Sequence, residues 1–145
     1  MGEEGTRSER ASPGCGTFPA MPKSVLLIGL APHTVDFSKI PGLDEAKLAA
    51  GIHAGLEAVS AAGFDATWCL TESDWESAER QISASLAEKR YDAVMIGAGI
   101  RAIPEHFLLF ERVINLVHAG APGAKICFNT APDTTLAALR RWIEP

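Results

Sequence analysis

Three short runs, VLLIG at Val25 to Gly29, VMIGAG at Val94 to Gly99 and KICFNT at Lys125 to Thr130, each end in small or polar residues and lead towards a helix-patterned segment. A run that is apolar at successive positions, with no polar alternation, marks a strand buried on both faces, as in a parallel sheet sandwiched between helices. Strands are therefore predicted over Ser24 to Gly29, Asp92 to Gly97 and Ala124 to Phe128, with a fourth over Phe64 to Leu70.

Between these runs the apolar period changes to that of a helix. Leu48, Ile52, Leu56 and Val59 share one face of a helix expected from Leu43 to Ala62 and stopped by Gly63. Trp75, Ala78, Ile82 and Leu86 form the stripe of a second helix. Ser73-Asp74-Trp75-Glu76 has the pattern of a capping box at its start, and the basic Lys89 and Arg90 suit its end. A third helix is expected to open near Pro104, with Phe107, Phe110, Val113, Ile114 and Val117 facing the sheet. The last, from about Asp133 to Ile143, turns Leu136, Leu139 and Ile143 inward, with Thr130 placed to cap it.

Four βα units joined by right-handed crossovers predict an α/β fold, a three-layer αβα sandwich. Its four-stranded parallel sheet has the order 2-1-3-4, flavodoxin-like or Rossmann-like, in a single domain over residues 22–145. Residues 1–21, rich in Gly, Ser, Glu and Arg and without the apolar core of a signal peptide, are expected to be a disordered extension. In this strand order the switch point falls between strands one and three. A ligand is expected just beyond their carboxyl ends.

Charge and composition narrow the partners. A net charge of −5, with only Arg140 and Arg141 adjacent among the basic residues, argues against nucleic acid. No apolar run approaches the roughly 20 residues needed to span a membrane. Cys15, Cys69 and Cys127 have neither disulfide nor metal spacing, which suits a reducing, cytoplasmic compartment.

Candidate chemistry concentrates in the loops flanking the switch point, Leu30 to Gly42 and Ala98 to Ile103. In the first, His33 and Asp36 are spaced to pair, the carboxylate fixing the imidazole tautomer of a general base; the alternative is a pair of turn residues. In the second, Gly97-Ala98-Gly99-Ile100-Arg101 suits an anion, with Gly97 and Gly99 allowing close backbone approach and Arg101 supplying a fork; the alternative is a turn with Arg101 paired to a surface carboxylate. With Ala102 the same stretch, Gly97 to Ala102, matches the G-x-G-x-x-G/A dinucleotide fingerprint. However, Pro104 implies a late helix start, and Asn129 and Thr130 stand where an acidic ribose ligand belongs.

His106, in the first turn of the third helix, suits proton transfer or packing against a carbonyl. Asn129, at the end of strand four, is expected to reach a ligand, the alternative being a cap for the last helix. Thr71 and Glu72 fall outside the site, Cys69 is expected to be inert, and His53 and His118 are expected to be solvated. A metal held by His33, Asp36 and His106 lacks a dense ligand motif, and the phosphate-loop and nucleophile-elbow motifs are absent, so neither metal nor organic cofactor is expected.

The segments LLIGL, VDFSKIPGL, YDAVMIGAGIR, PEHFLLFERVINLVH and KICFNT together resemble a group of small, uncharacterised single-domain α/β proteins over nearly all of the chain after Met21. That resemblance implies one compact domain and brings no activity, cofactor or catalytic residue. Element order is also similar to flavodoxin-like and receiver-type folds, although Leu30-Ala31-Pro32 and Gly97 replace a receiver's acidic cluster and phosphoacceptor.

The functional expectation is a small enzyme, a lyase, isomerase or hydrolase, acting on an anionic carboxylate or phosphate molecule. Arg101, Gly97, Gly99 and Asn129 bind the substrate, while His33, Asp36 and His106 move protons. The alternative is a non-catalytic ligand-binding or interaction module in which Leu108, outside the apolar arc, contributes to a homodimer. A dinucleotide-binding protein is the lesser alternative.

Overall fold

The computed structural model describes residues 21–145; the extension expected over residues 1–21 lies, apart from Met21, outside the described residues. Strands β1 (Ser24–Leu30), β2 (Asp65–Thr71), β3 (Ala93–Ile96) and β4 (Lys125–Phe128) form an all-parallel sheet in the order β2-β1-β3-β4. In the register, Leu27 lies between Trp68 of β2 and Met95 of β3, and Ile96 pairs with Phe128. Val25 to Ile28 and Ala93 to Ile96 are fully buried, as the unbroken apolar runs require of central strands covered on both faces.

Helices flank the sheet on both sides. Val25, Leu27 and Met95 pack with Val59 of α1 (Glu45–Ala61) and Leu139 of α5 (Thr135–Arg140). The intervening Leu26, Ile28, Val94 and Ile96 pack with Ile82 of α2 (Trp75–Glu88) and Val113 of α4 (Phe107–Gly120). The two cores thus alternate along each strand, following the two-residue period of a pleated chain.

Local chemistry shifts several boundaries. The N-cap of α2 is Asp74, whose carboxylate accepts from the Ser77 amide at 2.9 Å, in place of the expected Ser73–Glu76 box. Asp74 is the extended residue just before the helix, and a shorter carboxylate there reaches the third amide directly. Thr130 does not cap α5. Thr134, in the 3-10 turn Pro132–Thr134, accepts from the amides of Thr130 and Ala131 at 3.0 and 3.1 Å.

The segment after β3 departs most from expectation. A one-turn helix, α3 (Ala98–Arg101), stands where a loop was predicted. It ends because Pro104 disfavours helical backbone at the residue before it, and Ile103 is accordingly extended at φ −91°, ψ 117°. Pro104–His106 then makes a 3-10 turn, tighter than an α-turn, which shifts the phase of the helix that follows. Hence the buried stripe of α4 is Leu109, Val113 and Val117, with Phe110 and Ile114 partly covered, whereas Phe107, expected inward, is 67% exposed.

Among the described residues no helix is long and apolar enough to cross a membrane. Cys69 and Cys127 are buried free thiols, and burial pushes both upward, Cys127 to about 11. At pH 8 a thiol with that affinity for its proton is only about 0.1% thiolate. Iodoacetamide labelling at pH 8, read residue by residue by mass spectrometry, is expected to leave Cys127 unmodified in native protein and to modify it rapidly in urea. Fast native labelling contradicts its burial.

Candidate functional site

Because β1 and β3 are hydrogen-bonded neighbours whose connections leave towards opposite faces, the chain opens at their carboxyl ends. A cleft of about 620 Å³ lies there. Its walls come from Val35 and Lys39 to Leu43 after β1, from Ala98, Gly99 and Ala102 to Glu105 around α3, and from Thr130 to Pro132 after β4. A deeper recess of about 70 Å³ continues past Leu48 and Ile52 of α1 to Trp68, Gly97 and Asn129.

Local sequence explains this shape. The apolar stripe of α1 is covered by the sheet at Leu56 and Val59, but Leu48 and Ile52 extend beyond it and face the cleft. The third wall stands close to α1 because Gly55 has no side chain: a Cβ there would lie 2.9 Å from the Pro132 carbonyl oxygen. Gly97 serves the same purpose at the base, where a Cβ would meet the Ile28 carbonyl oxygen at 3.2 Å.

Asn129 holds the walls together. This buried side chain accepts from the Ala98 amide through Oδ1 at 2.9 Å and donates from Nδ2 to Thr135 Oγ1 at 3.0 Å. Its main-chain oxygen accepts from Arg101 Nη2 at 3.0 Å, and Thr135 Oγ1 donates in turn to the Pro132 carbonyl at 2.8 Å. Gly97 has no capping side chain of its own, so Asn129 caps α3 from the residue that follows β4.

The charged residues lining the cleft are Lys39 and Glu105, which form an ion pair across its mouth. The hydrogen bond from Lys39 holds the Glu105 carboxyl below the usual carboxylate range, and Glu105 raises the Lys39 ammonium in return. Asp36, near Lys39, is held low chiefly by its hydrogen bonds from Ser38.

The expected His33–Asp36 pair does not form. Asp36 Oδ1 accepts from the Ser38 amide at 3.1 Å and from Ser38 Oγ at 2.6 Å, closing a local turn of the kind aspartate favours. The 3-10 turn Pro32–Thr34 carries His33 the other way, towards the end of β2, where Nε2 meets the Glu72 carboxylate at 3.0 and 3.2 Å. Glu72, placed outside the site by sequence, is thus the partner of His33. The imidazole is 62% exposed and does not line the cleft.

His106 and Arg101 also stand off the lining. His106 Nδ1 donates to the Gly99 carbonyl at 3.3 Å, which leaves Nε2 with the free lone pair. Arg101 Nε is buried without a hydrogen-bond partner among the described residues. Two of the amides expected to cradle an anion are already engaged, Gly97 N by the Ile28 carbonyl at 2.8 Å and Ala98 N by Asn129. Gly97, Gly99 and Asn129 do reach the cleft, the first and last at its base. Among the described residues, no three His, Cys, Asp or Glu side chains gather as a metal requires, and His33, Asp36 and His106 are no exception.

Sequence reading passed over Leu48, Ile52 and the Lys39–Glu105 pair as site elements. The stripe of α1 was legible, and its length relative to the strand it covers was the available signal. Nothing local announces a contact between residues 66 positions apart. Comparisons with protein-family models, curated proteins and solved structures return no match.

Asn129→Ala leaves the Ala98 amide uncapped and the Thr135 hydroxyl without its donor. Urea denaturation is expected to show a loss of about 1–3 kcal/mol, with faster amide exchange at Ala98. Unchanged exchange there counts against Asn129 as the cap.

Proposed function

We propose that the protein binds a small molecule in the cleft at the β1/β3 switch point, the body of the ligand resting on apolar walls and one polar end meeting Lys39 and Glu105. The observation carrying this reading is the cleft itself. Its volume falls within the roughly 300–1,000 Å³ common for small-molecule sites, and it pairs apolar walls with few polar groups at the place parallel α/β folds favour. This is the non-catalytic ligand-binding module that the sequence offered as the alternative to an enzyme. A reducing, cytoplasmic setting suits the two buried free thiols.

One observation favours a second reading, an enzyme acting on an anionic molecule. Arg101 has no carboxylate partner among the described residues, and its Nε lacks an acceptor, so a carboxylate or phosphate near the end of β4 would complete it. In this reading His106 supplies the proton-transferring imidazole nearest to Arg101 in the chain. His33 and Asp36 enter less readily because their hydrogen bonds aim them elsewhere.

The exposed Ala102 lines the cleft at the end of α3, so Ala102→Trp fills the cavity without disturbing either core. Amide chemical-shift mapping against a library of small apolar molecules is expected to perturb residues 39–43 and 98–105 in the parent protein. Affinity should fall by at least about tenfold in the variant, about 1.4 kcal/mol. Perturbations elsewhere, or equal affinity in both proteins, overturn the cleft as the binding site. Retained anion binding that Arg101→Ala abolishes would favour the second reading.

A further inference from the structure

Resting on the reading that the cleft binds a ligand, we infer that the Lys39–Glu105 pair is a head-group clamp for a zwitterionic α-amino acid with an apolar side chain. The pair joins the loop after β1 to the 3-10 turn after α3 and therefore sits across the mouth of the cavity. Its two side chains are 51% and 57% exposed, and an ion pair of that kind contributes little to stability, so parting it costs little.

Charge balance selects the ligand class. A ligand bearing only a carboxylate takes Lys39 and leaves Glu105 facing a like charge. A ligand bearing only an ammonium takes Glu105 and releases Lys39, whose other acidic neighbour, Asp36, is already bonded to Ser38. A zwitterion inserted between the two replaces one ion pair by two, its carboxylate on the Lys39 ammonium and its ammonium on the Glu105 carboxylate. Every charge stays compensated. The walls behind the pair, including Val35, Leu43, Leu48, Ile103 and Pro132, carry no charge and suit an aliphatic or aromatic side chain.

Titration calorimetry tests the clamp with L-phenylalanine and L-leucine, their amides, their N-acetyl derivatives and the neutral 2-phenylethanol. The proteins compared are the parent, Lys39→Met, Glu105→Gln and Ala102→Trp. At least one free amino acid is expected to bind the parent tenfold or more tightly than both its amide and its N-acetyl derivative. Lys39→Met should erase the advantage over the amide, Glu105→Gln should erase the advantage over the N-acetyl derivative, and Ala102→Trp should abolish binding.

An amide or N-acetyl form that matches its parent amino acid overturns the clamp. So does an affinity ranking untouched by the Lys39 and Glu105 variants. If 2-phenylethanol binds the parent but not Ala102→Trp while neither amino acid binds more tightly, the clamp fails and the cleft reading stands. If no probe binds in the cleft, both fall.

Discussion

Everything at the cleft end of this protein follows from the divergence of β1 and β3. The two strands share backbone hydrogen bonds, yet right-handed connections send the chain after β1 to the face covered by α1 and α5 and the chain after β3 to the face covered by α2 and α4. Neighbouring strands whose connections part cannot be roofed by a single continuous segment. The gap must be filled by loop side chains or left open, and here the loop after β1 and the α3 turn stand on either side of it.

Leaving such a gap open exposes polar backbone at the strand ends, and the protein answers with side chains that act as backbone would. Asn129 caps α3 in place of a local serine or aspartate, and Thr135 carries the same network to Pro132, which the small Gly55 admits against α1. The carbonyls at the end of edge strand β4 are treated likewise. Arg141 Nη2 donates to Phe128 at 2.8 Å and Arg101 Nη2 to Asn129 at 3.0 Å. The walls of the cleft are thereby tied to the sheet through β4, its short edge strand.

The parts of this architecture legible in the sequence are those set by local period. Consecutive apolar positions at Val25 to Ile28 and Ala93 to Ile96 mark central strands, and the Ala78 and Ile82 stripe marks the buried side of α2. The misplaced Phe107 shows where period stops being enough. A 3-10 turn of three residues before α4 rotates the helix by a fraction of a turn, and no apolar pattern records the geometry of the turn that precedes it. The site was less legible for a related reason. His33 and Asp36 were joined because they are near in sequence, while their partners were chosen by the turn geometry of each and, for His33, by the strand lying next to β1. Lys39 and Glu105 meet only once the sheet order exists.

The same distinction weighs the roles open to Arg101. Among the described residues, the Arg101 guanidinium is held by one carbonyl, with Nε buried and unbonded, and no carboxylate neutralises its positive charge. Taken alone, that favours an anion. The direction of the bond it does make points instead to construction: it fastens the last residue of α3 to the strand from which Asn129 caps the first. Both ends of a one-turn helix are thus bonded to a single residue just after β4, and a helix this short has too few hydrogen bonds of its own to persist without such anchors. Arg101 therefore shapes the cleft wall whether or not it also meets a ligand, and the charged side chains that line the cleft are those of Lys39 and Glu105.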